Sequence, residues 1–155
     1  MVDVPAGKRS DLEQVLEESF DGWYLHHSKG TLREVEVVRA AVLSGSPVGL
    51  VMLKPLGRDA GYVYYIAVAR AHRKKGVARL LLDDALRHFR EAGMKEVFAG
   101  VEEDNAPSEA LFRSAGFTRT SFHDVSRSYG RFSALNMYRV MRIVPGEFLL
   151  HRGLA

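Results

Sequence analysis

The chain contains no cysteine. That absence excludes disulfides, thiolate metal sites and a thioester carried on the protein itself. No apolar run approaches the roughly 20 residues that a membrane-spanning helix needs. Met1 to Asp11 also lacks the apolar core of a secretion signal, and the expectation is a soluble, cytoplasmic protein with no membrane partner. Neither sign of charge dominates: 22 basic residues against 19 acidic ones leave a net +3. Much of that excess is gathered between His72 and Arg79, whereas a nucleic-acid-binding surface spreads its basic residues along a face, so no nucleic-acid partner is expected. The six histidines, at 26, 27, 72, 88, 123 and 151, show none of the clustering of a zinc site, and no metal is expected.

What is present is ordinary globular composition, 46% hydrophobic and 26% charged over 155 residues, enough for one domain with a sizeable core. The informative stretch runs from Tyr62 to Phe117. An apolar strand, Tyr62 to Val68, is followed by a basic turn, His72-Arg73-Lys74-Lys75-Gly76-Val77-Ala78, and by a helix from about Gly76 to about Glu91. In that helix Ala78, Leu81, Leu82, Ala85, Leu86 and Phe89 form the stripe of an amphipathic helix lying on a core. The opening turns of such a helix present unpaired N–H groups and the positive end of its dipole, and a glycine there lets an anion approach the backbone. With Arg73, Lys74, Lys75 and Arg79 around the same point, the segment reads as a phosphate site.

Arg73-x-x-Gly76-x-Ala78 after a strand ending Ile66-Ala67-Val68 resembles the R/Q-x-x-G-x-G/A coenzyme A signature of the GCN5-related N-acetyltransferase (GNAT) superfamily. Downstream, Asn105 and Ser108-Glu109-Ala110-Leu111-Phe112-Arg113-Ser114-Ala115-Gly116-Phe117 resemble that family's asparagine followed by A-x-x-L-Y-x-x-x-G-F. The resemblance covers residues 62–117 and leaves the tail 145–155 outside. It implies an α/β (α+β) fold: a single GNAT-like domain over residues 1–155, with a mixed sheet of six to seven strands splayed between the fourth and fifth, and about four helices. Acetyl-CoA is then the implied cofactor. Its pantetheine arm would pair with the backbone of Ile66, Ala67 and Val68. The pyrophosphate would rest on Arg73, Lys74, Lys75, Gly76, Val77, Ala78 and Arg79, with Asn105, Ser108 and Phe112 completing the cofactor set.

The rest of the chain is read from its punctuation. Val2 to Val4 is a short first strand, and Ser10-Asp11 starts a helix with Leu12, Val15, Leu16 and Phe20 on one face. The resemblance implies that the first helices border the acceptor site, which makes Phe20, Trp23, Tyr24 and His26 candidate substrate contacts; the other reading is an aromatic packing patch, and residues 28–31 read as loop. Two strands, Val35 to Leu43 and Pro47 to Lys54, are joined at Ser44-Gly45-Ser46-Pro47, a glycine-containing turn of hairpin length. Residues 57–61 are a second turn. Gly93 stops the central helix, Lys95 to Val101 is a strand parallel to Tyr62 to Val68, and Asn105 opens a short helix ended by Gly116. Phe117 to Phe122 and Leu135 to Ile143 read as closing strands joined by a polar connection, Asp124 to Ser133. For Phe148-Leu149-Leu150 two readings stand open, docking on the domain or on a second copy in a homodimer.

An amine acceptor must lose a proton before it attacks a thioester, because a lysine-like amine with a pKa of about 10.4 is mostly protonated at neutral pH. Three positions that carry acid–base groups in various GNAT relatives are altered here. Tyr62 and Gly100 stand where different branches have a strand glutamate, and Phe112 stands where many members have a tyrosine. Strand alternation puts Phe98, Gly100 and Glu102 on one face, which makes Glu102 a candidate base one pleat beyond Gly100. Tyr62 and Tyr64 are candidates to orient the acceptor or relay a proton. The expected activity is transfer of an acetyl group from acetyl-CoA to a primary amine of a small molecule or protein; the alternative is a non-catalytic acyl-CoA-binding module.

Overall fold

The apolar stripe of the central helix is buried as its spacing requires, with Leu81, Leu82, Ala85, Leu86 and Phe89 all in the core of the computed structural model, which describes all 155 residues. Seven strands, β1 (Val2–Asp3), β2 (Val37–Leu43), β3 (Ser46–Leu56), β4 (Ala60–Val68), β5 (Glu96–Glu102), β6 (Thr118–Thr120) and β7 (Glu147–Gly153), form a mixed sheet in the order β1-β2-β3-β4-β5-β7-β6. Six helices accompany them: α1 (Glu13–Ser19), α2 (Gly22–Glu34), α3 (Val77–Glu91), α4 (Ala106–Ser114), α5 (Phe122–Tyr129) and α6 (Arg131–Met141). The chain divides into two compact units, Met1–Lys54 with Val63–His88, and Pro55–Tyr62 with Phe89–Ala155.

In the first unit β1, β2 and β3 pair antiparallel, and Leu43 meets Ser46, so the turn is Ser44-Gly45 alone and Ser46 and Pro47, read as turn, belong to β3. Ser44 and Gly45 both take positive φ there, the geometry of the primed turns that suit a hairpin's twist. Leu12, Val15 and Leu16 pack with Leu32, Val38, Leu50 and Met52 to form its core. Two buried charges brace this unit. Arg9 donates to the carbonyls of Leu32 (3.0 Å) and Val35 (2.7 Å), and Asp84 of α3 receives both Arg39 of β2 and Arg87. The capping expected of Ser10 or Asp11 is absent: residues Ala6–Leu12 form a 3-10 helix that runs directly into α1 at Leu12. Residues 28–31 are helix rather than loop. Ser28 and Thr31 return their hydroxyls to the carbonyls of Leu25 and His27, which satisfies them inside α2 and lets Leu32 reach the core.

The second unit departs furthest from expectation. β5 pairs antiparallel with β7, and β7 with β6, so the tail is an interior strand with Leu149 and Leu150 buried. Phe148 lies beneath the Arg119 guanidinium, 3.7 Å from the ring centre, and the tail therefore docks on its own chain. The segment read as a strand, Leu135 to Ile143, lies mostly in α6. Its buried residues are Ala134, Met137 and Met141, at helical spacing, while Leu135 stands exposed. The stretch read as a polar connection is largely α5, which opens with a reciprocal capping box between Ser121 and Asp124. α3 and α4 end as read: Gly93 and Gly116 take positive φ, and Met94 N and Phe117 N bond back to the carbonyls of Phe89 and Phe112.

Candidate active site

At the end of β4 a short 3-10 turn, Arg70–His72, leads into the basic turn and α3. Lys74 (φ 57°) and Gly76 (φ 82°) adopt left-handed backbone. A Cβ on Gly76 would meet nothing within 4 Å, so the space before the helix is open to a ligand. Leu80 N donates to Gly76 O at 3.0 Å, the opening bond of the helix, and the N–H groups of Val77 and Ala78 precede it at the positive end of the dipole. Lys74 and Lys75 are exposed beside this point, and exposed Arg79 pairs with Asp83 at 2.9 Å, a contact of little energetic weight.

Arg73 does something the motif alone does not reveal. Its Nε donates to Val68 O at 3.0 Å, and its Nη2 reaches Ser19 Oγ at 3.4 Å and the carbonyl of Glu18. The guanidinium thus ties the basic turn to the end of β4 and to α1, fixing the shape in which the turn's backbone is presented. Close approach recurs beneath it. A Cβ on Gly49 would lie 3.0 Å from Ala67 O and 3.1 Å from Val77 Cγ1, so a side chain on β3 would crowd the end of β4 and the start of α3. Ala67 and Val68 are buried and Ile66 is half-buried.

An aromatic group occupies the same unit. Phe20 meets Tyr65 edge-on at 5.3 Å, Trp23 packs on Tyr24 (4.9 Å) and stacks on His27 (4.7 Å), and Tyr64 stacks on Tyr65. His27 Nδ1 lies 3.0 Å from Tyr65 Oη. His26, the histidine singled out in the sequence, is exposed, and it is His27 that joins the cluster. The i, i+4 spacing of Trp23 and His27 would have shown this had α2 been read through Ser28.

In the second unit Tyr62 is buried, and its hydroxyl oxygen lies 2.8 Å from where a Cβ of Gly100 would stand. Glu147 Oε2 lies 3.2 Å from the same point and Ile143 Cδ1 2.8 Å from it. Glu102, the candidate base, is half-buried, and its register partner across the β5–β7 ladder is Glu147. Nothing in the sequence around Glu147 marks it. Asn105 caps α4 by accepting from Ser108 N at 3.2 Å, and Phe112 is buried edge-on against Phe117 at 5.1 Å. Further along β5, a pocket of about 200 Å³ is lined by Glu96, Phe98, Arg119, Tyr129 and His151 among others. There Glu96 accepts from the Tyr129 hydroxyl and faces His151 at 3.4 Å; burial and then that carboxylate push the phenol's pKa up. No group of three or more His, Cys, Asp or Glu residues is placed to hold a metal, and no helix is long and apolar enough to cross a membrane.

The model of the acetyltransferase (GNAT) family matches residues 8–117, a range that contains the basic turn, α3 and the α4 cap. The chain belongs to the GNAT family. Among relatives within it, a mycothiol acetyltransferase of Catenulispora acidiphila is 39% identical over 61 residues, 39% of this chain and 19% of that protein. N-alpha-acetyltransferase 60 of Drosophila melanogaster is 33% identical over 87 residues, 52% of this chain and 32% of that protein. The chain thus spans less than a third of either relative. In fold, the ribosomal-protein-S18-alanine N-acetyltransferase of Escherichia coli superposes with a TM-score of 0.74 over 99% of this chain and 92% of that one, at 13% identity.

Proposed function

We propose that this GNAT protein is an acetyl-CoA-dependent N-acetyltransferase that moves an acetyl group directly to a primary amine of a small molecule or protein, with residues 1–155 acting as one acetyltransferase domain. The observation that carries the reading is the open, positively charged backbone cradle at Gly76, formed by a left-handed turn at the mouth of α3. The turn from Arg73 to Arg79 holds the cofactor's pyrophosphate, and the backbone of Ile66 to Val68 pairs with its pantetheine arm. Supporting it are the acetyltransferase relatives and a GNAT protein of Elizabethkingia anophelis whose structure, with a TM-score of 0.69 over 98% of this chain and 95% of that one at 16% identity, holds acetyl-CoA. With no cysteine to carry the acetyl group, the amine attacks the thioester itself. The C–N bond forms as the C–S bond breaks. Of the two protons that the ammonium nitrogen gives up, one leaves before attack and one ends on the departing thiolate. The reaction is placed in the cytoplasm, where coenzyme A thioesters are supplied.

Calorimetry with acetyl-CoA tests the cradle. Gly76→Asp and Gly76→Asn introduce side chains of equal size at a left-handed position that both tolerate, and only the aspartate brings negative charge to the pyrophosphate. Binding weaker by at least about tenfold in Gly76→Asp than in Gly76→Asn is expected, a difference of ~1.4 kcal/mol. Wild-type protein that shows no heat with acetyl-CoA refutes the reading. So does cofactor-bound protein that releases no coenzyme A with peptide α-amines, lysine side chains or polyamines.

A further inference from the structure

The geometry points to Glu147 as the general base that deprotonates the acceptor amine, reaching from β7 into a space on β5 that Gly100 leaves open. This rests on the acetyltransferase reading above. A glycine inside an apolar strand weakens it and usually marks a close approach by another group. Here the approaching groups are named: Tyr62 Oη from β4, Glu147 Oε2 from β7 and Ile143 Cδ1, all within 3.2 Å of the missing Cβ. A carboxylate, a phenol and a methyl group therefore converge on one small volume, and both Gly100 at its floor and Glu147 are half-buried. β5 offers no carboxylate of its own at this position; the neighbouring strand delivers one.

Backbone bonds secure the start of β7, Glu147 N to Val144 O (3.1 Å) and Glu103 N to Gly146 O (2.8 Å). The Glu147 carboxylate stands in register opposite Glu102, and like charges directly opposite one another are unfavourable in a sheet. The proton passes from the ammonium nitrogen to a Glu147 carboxylate oxygen, which frees the nitrogen lone pair for attack, and the acid then returns the proton to water. The titratable groups shown around it are Tyr62 on β4, Glu102 at the end of β5 and Glu103 directly after it.

The test takes whichever probe is turned over fastest among an alanine-initiated peptide, an Nα-blocked lysine peptide and spermidine. It measures kcat and KM from acid to alkaline pH for wild type, Glu147→Gln and Glu147→Ala. Glu147→Gln is expected to lower kcat about 100-fold with little change in KM or in acetyl-CoA affinity, the loss narrowing as rising pH supplies free amine without help. Formate should restore part of the rate of Glu147→Ala, which a merely structural role would not allow. A readout independent of turnover is the Glu147 carboxyl signal in protein carrying isotope-labelled glutamate, identified by its disappearance in Glu147→Gln. It should shift when the amine is added without acetyl-CoA.

Wild-type kcat and pH profile in Glu147→Gln overturn the proposal. A loss confined to KM does too, since it makes the residue an anchor, and so does Glu102→Gln alone reproducing the low-pH loss. Wild-type protein that turns over no amine removes the acetyltransferase reading and this inference together, whereas an active wild type with an unaffected Glu147→Gln removes only the inference.

Discussion

Replacing Asp84 with asparagine tests how the first unit is held together, because this carboxylate is the most deeply buried charge on α3. Its side chain is 2% exposed and receives Arg39 through both oxygens, with Arg87 adding a further bond from one turn along. Removing one partner of a buried ion pair typically costs ~3 to 5 kcal/mol, because the other charge is left uncompensated. Arg39 is not wholly stranded, since its Nη1 also donates to exposed Asp3 at 2.6 Å, and the lower end, about 3 kcal/mol, is therefore expected. For a chain of this size that corresponds to a Tm lower by roughly 6 to 12 °C. Burial alone would raise the Asp84 pKa, but the hydrogen bonds and charges of Arg39 and Arg87 outweigh it and hold the carboxyl below its ordinary value. A group depressed in the folded state contributes stability above its unfolded pKa, about 3.9, and loses it as pH falls through the folded value. Thermal melts of wild type and Asp84→Asn should differ most near neutral pH and converge in acid. A difference that is absent at neutral pH, or one that stays constant into acid, refutes the reasoning.

Two further substitutions probe the second unit. At Gly61 a Cβ would stand 2.5 Å from ring carbons of Phe89, itself fully buried, so Gly61→Ala should cost about 1 to 3 kcal/mol of overpacking in urea unfolding. An unchanged urea midpoint would show that the ring has room to retreat. Ser121→Ala removes the hydroxyl that accepts from Asp124 N at 3.2 Å and with it the capping box of α5, a loss of about 1 kcal/mol. Faster hydrogen exchange should be confined to the first turns of α5, and exchange unaltered there would contradict the assigned cap.

The parts of the fold legible in the sequence were those with a local cause. The stripe of α3, the hairpin at Ser44-Gly45, and the glycines closing α3 and α4 each carry their instruction within a few residues, and each stands in the structure where its spacing puts it. Two readings failed between Asp124 and Ile143. Leu135 to Ile143 reads as a strand and Asp124 to Ser133 as a polar connection, while the buried residues of α6, Ala134, Met137 and Met141, follow helical spacing, and α5 buries Val125. One local signal did favour the helix: Ser121-x-x-Asp124 is a capping-box pattern ahead of an apolar residue. The tail offered no comparable mark, since Leu149 and Leu150 read equally as a docking patch or a strand until β5 and β6 supply its neighbours.

The candidate site divides along the same line. The cradle at Gly76 is contiguous in sequence, so its spacing alone sufficed to place it at the mouth of α3. The carboxylate and phenol at Gly100 come from residues 85 positions apart in the chain, Tyr62 and Glu147, and only strand pairing brings them together. Alternation along β5 drew attention to Glu102, on the same face as Gly100. It could not reveal that the strand paired beside it would project a second carboxylate over the position with no side chain. The useful cue was the glycine itself. In a strand that reads Val97-Phe98-Ala99-Gly100-Val101, a residue without a side chain costs packing and gains nothing locally, so its presence signals that the space belongs to a group arriving from elsewhere. Where a familiar acid–base residue is replaced by glycine, the physical question is therefore which neighbour fills the volume. Here the answer has the chemistry to do what an acidic side chain at residue 100 would otherwise do.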